Sequence, residues 1–306
     1  MITQTPTLII EHPKLALSSL STHDPLVTTR LTNEDASQTL AFLAERPLHN
    51  AVMAGLIRDN GIESDFNRGT FYGCHDAAGI LAGVALIGHA IFIDARSDEA
   101  LRRFAKLAHA FPRAHMLMGE KELIERFWRF YAPNQPPKHR ICREVLFELN
   151  ERSARCEYVA NLRIARLSDV PRVVRVHAAL AFAESGVHPL QADADGFRQR
   201  CQRRIEQGRT WVLVQHDKLI FKADIISEAP EVTYLEGVYV HPEYRGRGIG
   251  SNCLSQLTRE LLERTKSISL LVDQKRPQAQ SFFRKLGFVS RGWYDTHFLR
   301  TQPELS

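Results

Sequence analysis

Residues 240–250 read VHPEYRGRGIG, the end of an apolar run followed by a long amphipathic stretch. Gly246, Gly248 and Gly250 stand at alternate positions, beside Arg245 and Arg247. A strand that ends at a helix start exposes N–H groups without intrahelical partners, and their partial positive charge suits a phosphate or pyrophosphate. Glycine lets that backbone bend and lie close to a ligand. Ser251 offers a hydroxyl to the anion or a cap to the helix. The segment is not a P-loop, because no GK[ST] follows, and its spacing is not the dinucleotide GxGxxG. A basic glycine turn without a ligand is the plain alternative; the strand before, the helix after and the local charge favour the anion.

Working outward, SNCLSQLTRELLERT predicts a helix with Leu254, Leu257, Leu261 and Leu262 as its apolar stripe, and VTYLEGVYV predicts the strand before the loop. YVANLRIARL reads as a strand, then SDVPRVVRVHAALAFAE as a helix with Ser168 as cap. DADGFRQRCQRRIEQG is a second helix stopped by Gly208, and TWVLVQHDKLIFKADII is a hairpin turning at His216–Lys218. SISLLV, PQAQSFFRKLG and FVSRGWYDTHFL close the chain as strand, helix and strand. Strand-to-helix crossovers among antiparallel runs imply an α/β (α+β) fold, a mixed sheet covered by helices.

The first half echoes this order, from the helical DASQTLAFLAE to the closing strand REVLFEL, but only ARS separates AIFID from its following helix. We read a divergent internal duplication with a boundary near 150–158: domain 1–153 lacking the glycine loop, structural or substrate-side, and domain 154–306 carrying it. Charge follows the same division. Residues 1–150 carry 16 basic and 17 acidic side chains, residues 151–306 carry 24 and 18, a bias that suits an anionic ligand in the second half. No nucleic-acid motif accompanies it, and nucleic acid is not expected as a partner.

No apolar run approaches the ~18 residues of a membrane span, and MITQTPTLII lacks the basic segment that precedes a signal-peptide core. Cys74, Cys142, Cys156, Cys201 and Cys253 form no CxxC pair, which fits reduced cysteines in a cytoplasmic protein. Scattered His, Cys, Asp and Glu form no recognisable metal set, and no nucleophile-elbow motif supports a serine hydrolase.

On Arg245, Gly248 and Gly250, on the preceding LEGVYVHP with Val240 and Pro242, and on SISLLVDQKRPQAQSFFRKLGF with Ala279 and Leu286-Gly287-Phe288, residues 160–300 resemble the GCN5-related N-acetyltransferase (GNAT) superfamily. The whole chain resembles a two-domain subgroup in which a degenerate copy precedes the competent one. The resemblance implies tandem GNAT-like domains, each a mixed, mostly antiparallel twisted sheet covered by helices, and acetyl-CoA as acyl donor. It implies that VTYLEGVYV splays from SISLLV, that the pantetheine arm pairs near Val238, Tyr239 and Val240, and that the pyrophosphate lies over Arg245, Gly246, Arg247, Gly248, Ile249, Gly250 and Ser251. Arg276 stands where the family often has Asn, and faces the nucleotide end of CoA or solvent. Phe283 stands where the family often has a Tyr that protonates the leaving thiolate; a phenyl ring beside the cofactor has no proton to give.

The implied reaction is direct transfer of acetyl to a primary amine in a ternary complex, with a small-molecule or peptide amine as acceptor. An amine with a pKa near 10.4 must first lose a proton, which a carboxylate accepts. Glu236, on the central strand, is the first candidate base; a structural ion pair is its alternative, and a bulge at Gly237 would change which face it shares with Val238 and Val240. Tyr294 is the candidate replacement proton donor, Glu184 and His188 are candidates for acceptor recognition, and Lys222 is a functional charge or a snorkelling edge residue. His241 borders the loop as ligand contact or plain surface. A CoA-binding regulatory sensor without turnover is the competing function, motivated by Phe283. Monomer and homodimer both remain open.

Overall fold

Period-two runs build one twelve-stranded sheet among the described residues, which in this computed structural model are 26–111, 114–131, 140–152 and 157–299. Cys156, residues 153–156 of the expected boundary and the opening MITQTPTLII lie outside them. The first half runs β1 (Val27–Arg30), α1 (Ala36–Ala44), α2 (Pro47–Asn60), β2 (Gly69–His75), β3 (Leu81–Gly88), β4 (Ala90–Ala95), α3 (Asp98–Ala108), β5 (Met116–Glu120), α4 (Lys121–Tyr131) and β6 (Arg140–Leu149). The second runs β7 (Arg163–Ile164), α5 (Val170–Ser185), α6 (Pro189–Ala192), α7 (Ala194–Glu206), β8 (Thr210–Gln215), β9 (Lys218–Glu228), β10 (Thr233–Val240), α8 (Ile249–Leu261), β11 (Ile268–Asp273), α9 (Pro277–Lys285) and β12 (Val289–Phe298).

The strands lie in the order β1-β2-β3-β4-β5-β12-β6-β11-β10-β9-β8-β7. The sequence leads one to expect a sheet for each half; the sheet instead runs unbroken through both. β12, from the end of the chain, pairs with β5, while β6, from the first half, pairs with β11, and β6 and β12 pair with each other at the centre. Each half therefore closes its sheet with the last strand of the other. β4–β5 and β10–β11 are the parallel pairs, and the rest are antiparallel.

Tyr234 and Glu236 alternate with Leu235 along β10, and the two faces differ accordingly. Behind Leu235 lies a core in which Leu254, Leu257 and Leu261 of α8 meet Val272 and Phe283. Each of these leucines is at 0 % exposure, a burial that stabilises by about 1.5–3 kcal/mol per side chain. On the Tyr234 face α2 comes so close to β9 that a Cβ on Gly55 would stand 2.5 Å from that of Ser227, whose hydroxyl donates to Ala51 O. Glycine at that turn lets a first-half helix seat on a second-half strand.

Two local expectations change. Of YVANLRIARL only Arg163–Ile164 is strand, because Asn161 turns the chain at φ 68. Asp169, and not Ser168, organises the start of α5: its carboxylate accepts from Arg166 N at 2.8 Å and from Arg163 Nη1 at 2.7 Å, fixing the 3-10 turn Leu167–Asp169.

Candidate active site

β10 and β11 are paired only through Thr233–Leu235 and Ile268–Leu270; beyond that, Glu236–Val240 has no ladder partner on its β11 side. The divergence coincides with a bulge. Glu236 pairs with Asp224 and Tyr239 with Lys222, so Gly237 and Val238 oppose the single residue Ala223. Gly237 takes φ 59, and a Cβ there would stand 2.7 Å from Lys222 Nζ. The bulge resets the alternation. Glu236 does not share a face with Val238 and Val240, which pack against the α8 core.

Beneath the bulge Lys222 is buried at 0 % exposure, so it is not a snorkelling edge residue. Its ammonium pairs with Asp224 and donates to Gly237 O at 3.4 Å. Burial would push the Asp224 carboxyl up, but the charges of Lys222 and Arg204 overcome it and hold it at about 2. Thr210 Oγ1 donates to the same carboxylate at 2.8 Å. His177, 3.7 Å from it, is held near 3 by burial and by the charge of Lys222, and is neutral at physiological pH.

Where β10 ends, Pro242–Tyr244 makes a 3-10 turn and Arg245 Nε donates back to Val240 O at 3.0 Å. Gly246 and Gly248 adopt φ 74 and 79, and a Cβ at either would meet no atom within 4 Å, so this backbone borders open space. Gly248 is the N-cap of α8 without a side-chain cap, and no acidic residue stands in the first turn. The N–H groups of Ile249, Gly250 and Ser251 thus head a thirteen-residue helix with no intrahelical acceptor. A Cβ on Gly250 would strike Val240 Cγ2 at 2.6 Å. Arg247 lies 5.8 Å from the Tyr244 ring, its charge kept at the loop surface. The open loop, the positive-φ glycines and the uncompensated helix start fit a pyrophosphate.

On the Glu236 face the gap adjoins a cavity of about 270 Å³. Glu236 of β10, Glu184 of α5 and Glu144 of β6 line it, with apolar walls that include Met118, Leu180 and Leu271. Tyr234, two residues before Glu236, lines the same cavity, and its hydroxyl favours the charged form of the Glu236 carboxyl. Burial raises the Glu236 carboxyl, with Arg204 opposing. Glu144 is raised to about 8, by burial and then by the charge of Glu184; Thr296 Oγ1 donates to it at 3.1 Å. Glu184 has an open surface at the mouth yet is surrounded by protein, and burial with the charge of Glu236 raises it to about 7.

The cavity thus unites Glu236 and Glu184 but not the other sequence candidates on this face. His188 caps α6 and sits 5.7 Å from the Phe182 ring, away from the lining. Tyr294 faces the first half: β12 runs beside β5, so its hydroxyl meets His49 Nδ1 at 3.0 Å in an adjoining pocket. Burial, with the charge of Glu120, pushes its phenol above the usual range. Phe283 is 7 % exposed in the core among Phe147, Phe282 and Phe288, and Phe282 is the ring that lies against Gly250. Arg276, exposed at the start of α9, acts electrostatically on Glu184 and so stands toward the cavity mouth. His241 stacks edge-on with Tyr239 and Tyr244. Tyr234 was signalled by period two from Glu236; Glu144 and Thr296 carried no local signal, because strands exchanged between the halves deliver them.

Among the described residues no three His, Cys, Asp or Glu side chains converge as a metal site, and no helix is long and apolar enough to cross a membrane. Comparison with curated proteins yields no match. Among solved structures, a GCN5-related N-acetyltransferase from Sphaerobacter thermophilus is 14 % identical with a TM-score of 0.58, covering 93 % of this chain and 98 % of that one. A GNAT-family acetyltransferase from Colwellia psychrerythraea is 14 % identical with a TM-score of 0.57, over 90 % and 99 %. A tandem GNAT protein from the clavulanic acid biosynthesis pathway is 14 % identical with a TM-score of 0.54, over 91 % and 99 %. The model of the Acetyltransferase (GNAT) family matches residues 176–288, from α5 to the end of the α9 segment. Residues 176–288 carry the sequence pattern of the GNAT family, within a chain whose sheet and helices follow the fold of solved GNAT proteins along nine-tenths of its length.

Proposed function

We propose that this chain is an acyl-CoA-dependent N-acetyltransferase acting on a primary amine in a ternary complex. We read residues 1–153 and 154–306 as two GNAT-like copies that exchange their last strands, only the second holding a site. The carrying observation is the conjunction of the β10–β11 gap with an uncompensated α8 start at one end and a carboxylate-lined cavity at the other.

When bound, acetyl-CoA supplies a thioester whose C–S bond breaks as the C–N bond forms, the electron pair leaving on sulfur. The 245–251 backbone holds the pyrophosphate, and the free edge of Glu236–Val240 offers backbone groups to the pantetheine arm. Glu236 accepts the amine proton. Its position on the cavity wall beside Tyr234 and its raised carboxyl support that role. Cys142 also lines the cavity, but burial and then Glu144 push its thiol to about 12, so it stays protonated and an acyl-cysteine route is disfavoured.

A second reading, an acyl-CoA sensor without turnover, is favoured by one observation: the α9 ring Phe283 is buried and bears no hydroxyl. Calorimetry with acetyl-CoA, combined with thiol release across an amine panel, decides. Binding with release is expected. Binding without release leaves the sensor, and absence of binding overturns both.

A further inference from the structure

The cavity beside the β10–β11 gap is lined by three carboxylates from three elements, Glu144, Glu184 and Glu236, and by no lysine or arginine. Behind the wall, Lys222 is held beneath the bulge by Asp224 and the Gly237 carbonyl, and Arg204 pairs with the same Asp224 at 3.2 Å. Glu144 has Thr296 as its hydrogen-bond donor, and Tyr234 lines the wall with Glu236; both hydroxyls are neutral. His177 on the same wall is also neutral. Arg204 and Arg276 act on Glu236 and Glu184 from outside the lining. With no cation inside it, burial and mutual repulsion keep Glu144 largely and Glu184 partly protonated at neutral pH, and a bound cation would displace those protons. Like charges brought together out of water repel, and burial penalises each of them. A ligand with more than one positive charge relieves both penalties. These side chains do not converge as a metal site, so an organic cation is the better match. Most of the remaining lining is apolar, with Met116, Met118, Leu180, Leu271 and Phe298, while the hydroxyls of Thr296 and Ser185 are already bonded to Glu144 and to Ala181 O. Such walls suit methylene groups and leave the hydroxyls of an amino sugar unbonded.

We infer that the acceptor is a linear aliphatic diamine or polyamine. One nitrogen lies at Glu236, a second ammonium lies between Glu144 and Glu184, and the methylene chain runs along the apolar wall. This rests on the acetyltransferase reading. The reacting ammonium first gives one proton to Glu236. The free amine then gains the acetyl carbon as the C–S bond breaks, and the second proton it sheds on becoming an amide leaves with the sulfur as the thiol. The distal ammonium keeps its protons and makes charge-assisted hydrogen bonds.

The test uses the full chain with acetyl-CoA and thiol detection. 1,4-Diaminobutane, 1,5-diaminopentane and spermidine are compared with n-butylamine and kanamycin. The expected result is a kcat/KM at least about tenfold higher for the best diamine or polyamine than for n-butylamine, since a lost charge-assisted pair is worth about a factor of ten or more. Glu184→Gln, at the exposed mouth, is expected to narrow that preference, chiefly through KM. Leu180→Lys, which places a cation on the wall, is expected to abolish it. Equal rates for n-butylamine and the diamines, or a faster reaction with kanamycin, overturn the acceptor assignment and leave the acetyltransferase reading standing. Acetyl-CoA binding without thiol release for any amine overturns both.

Discussion

β4 and β10 begin alike. Each pairs in parallel with the next strand for two or three residues, parts from it, and leads into a helix. They end differently. α3 starts on Ser97, whose hydroxyl accepts from Ala100 N at 3.2 Å, with Asp98 and Glu99 in its first turn. The helix dipole there is answered by the chain's own carboxylates. α8 starts on Gly248 with neither cap nor acid, so no side chain of its own answers its first N–H groups. The neighbouring spaces differ in the same sense. Beside β4 and β5, Arg46 pairs with Asp94 at 2.9 Å and with Glu120, while Asn50 Nδ2 donates to Asp94 at 2.6 Å. Beside β10 and β11, carboxylates face open volume. The same topology thus yields one gap where internal partners answer the charges of Arg46, Asp94 and Glu120, and another where carboxylates line open volume.

Substitutions can break this contrast. The largest effect is expected from Gly248→Glu. A side chain at φ 79 is strained by about 1–3 kcal/mol, and its carboxylate repels pyrophosphate, so acetyl-CoA affinity should fall by about 1000-fold in calorimetry. Unchanged affinity would show that the phosphate lies elsewhere. Glu236→Gln should lower kcat by about 100-fold or more while acetyl-CoA still binds; a normal kcat would remove Glu236 as the base. Arg46→Met leaves the buried Asp94 with only Asn50 and the more distant Arg96 as partners. It should destabilise the fold by about 2–3 kcal/mol in urea unfolding, below a fully buried pair because Arg46 keeps 27 % of its side chain exposed. Acetyl-CoA affinity should hold, since that gap is scaffold.

pH sharpens the same point. Glu144 has a raised carboxyl at about 8, so between its ordinary value of 4.5 and 8 the folded state holds a proton that the unfolded chain has lost. Stability should therefore fall as pH rises through that window, with Glu184 adding in the same direction up to about 7. Melting temperatures from pH 5 to 9 should show the decline, and Glu144→Gln should flatten it. Smallest, Ser97→Ala should cost about 1 kcal/mol by removing the α3 cap, without weakening acetyl-CoA.

Much of this contrast was legible in the chain. The Gly246–Gly250 spacing, the leucine stripe of α8 and the bare ARS before α3 are local, and local chemistry decides how helices start. Glu236 and the possibility of a bulge at Gly237 were visible for the same reason. Long-range pairing was not. Nothing near Glu144 announces that β6 will lie against β11, and nothing near Tyr294 announces that β12 will lie against β5 and carry its hydroxyl to His49. Lys222 read as a functional charge or a snorkelling edge residue; its partner Asp224 stood two residues away, but the burial of both depends on β8 and β10 flanking β9. Arg46, Asp94 and Glu120 were unreadable as a set until the sheet brought them together.

The crossing of β6 and β12 changes what counts as a part. Expressed as two polypeptides split near residue 153, each fragment would hold the strand that completes the other's sheet, and the fragment bearing the glycine loop would lack Glu144. Activity would return only on mixing, with concentration dependence, as for two obligate subunits. On the two-copy reading proposed above, the molecule would be in effect a heterodimer whose subunits share one peptide chain, each half held by the strand that the other lends it.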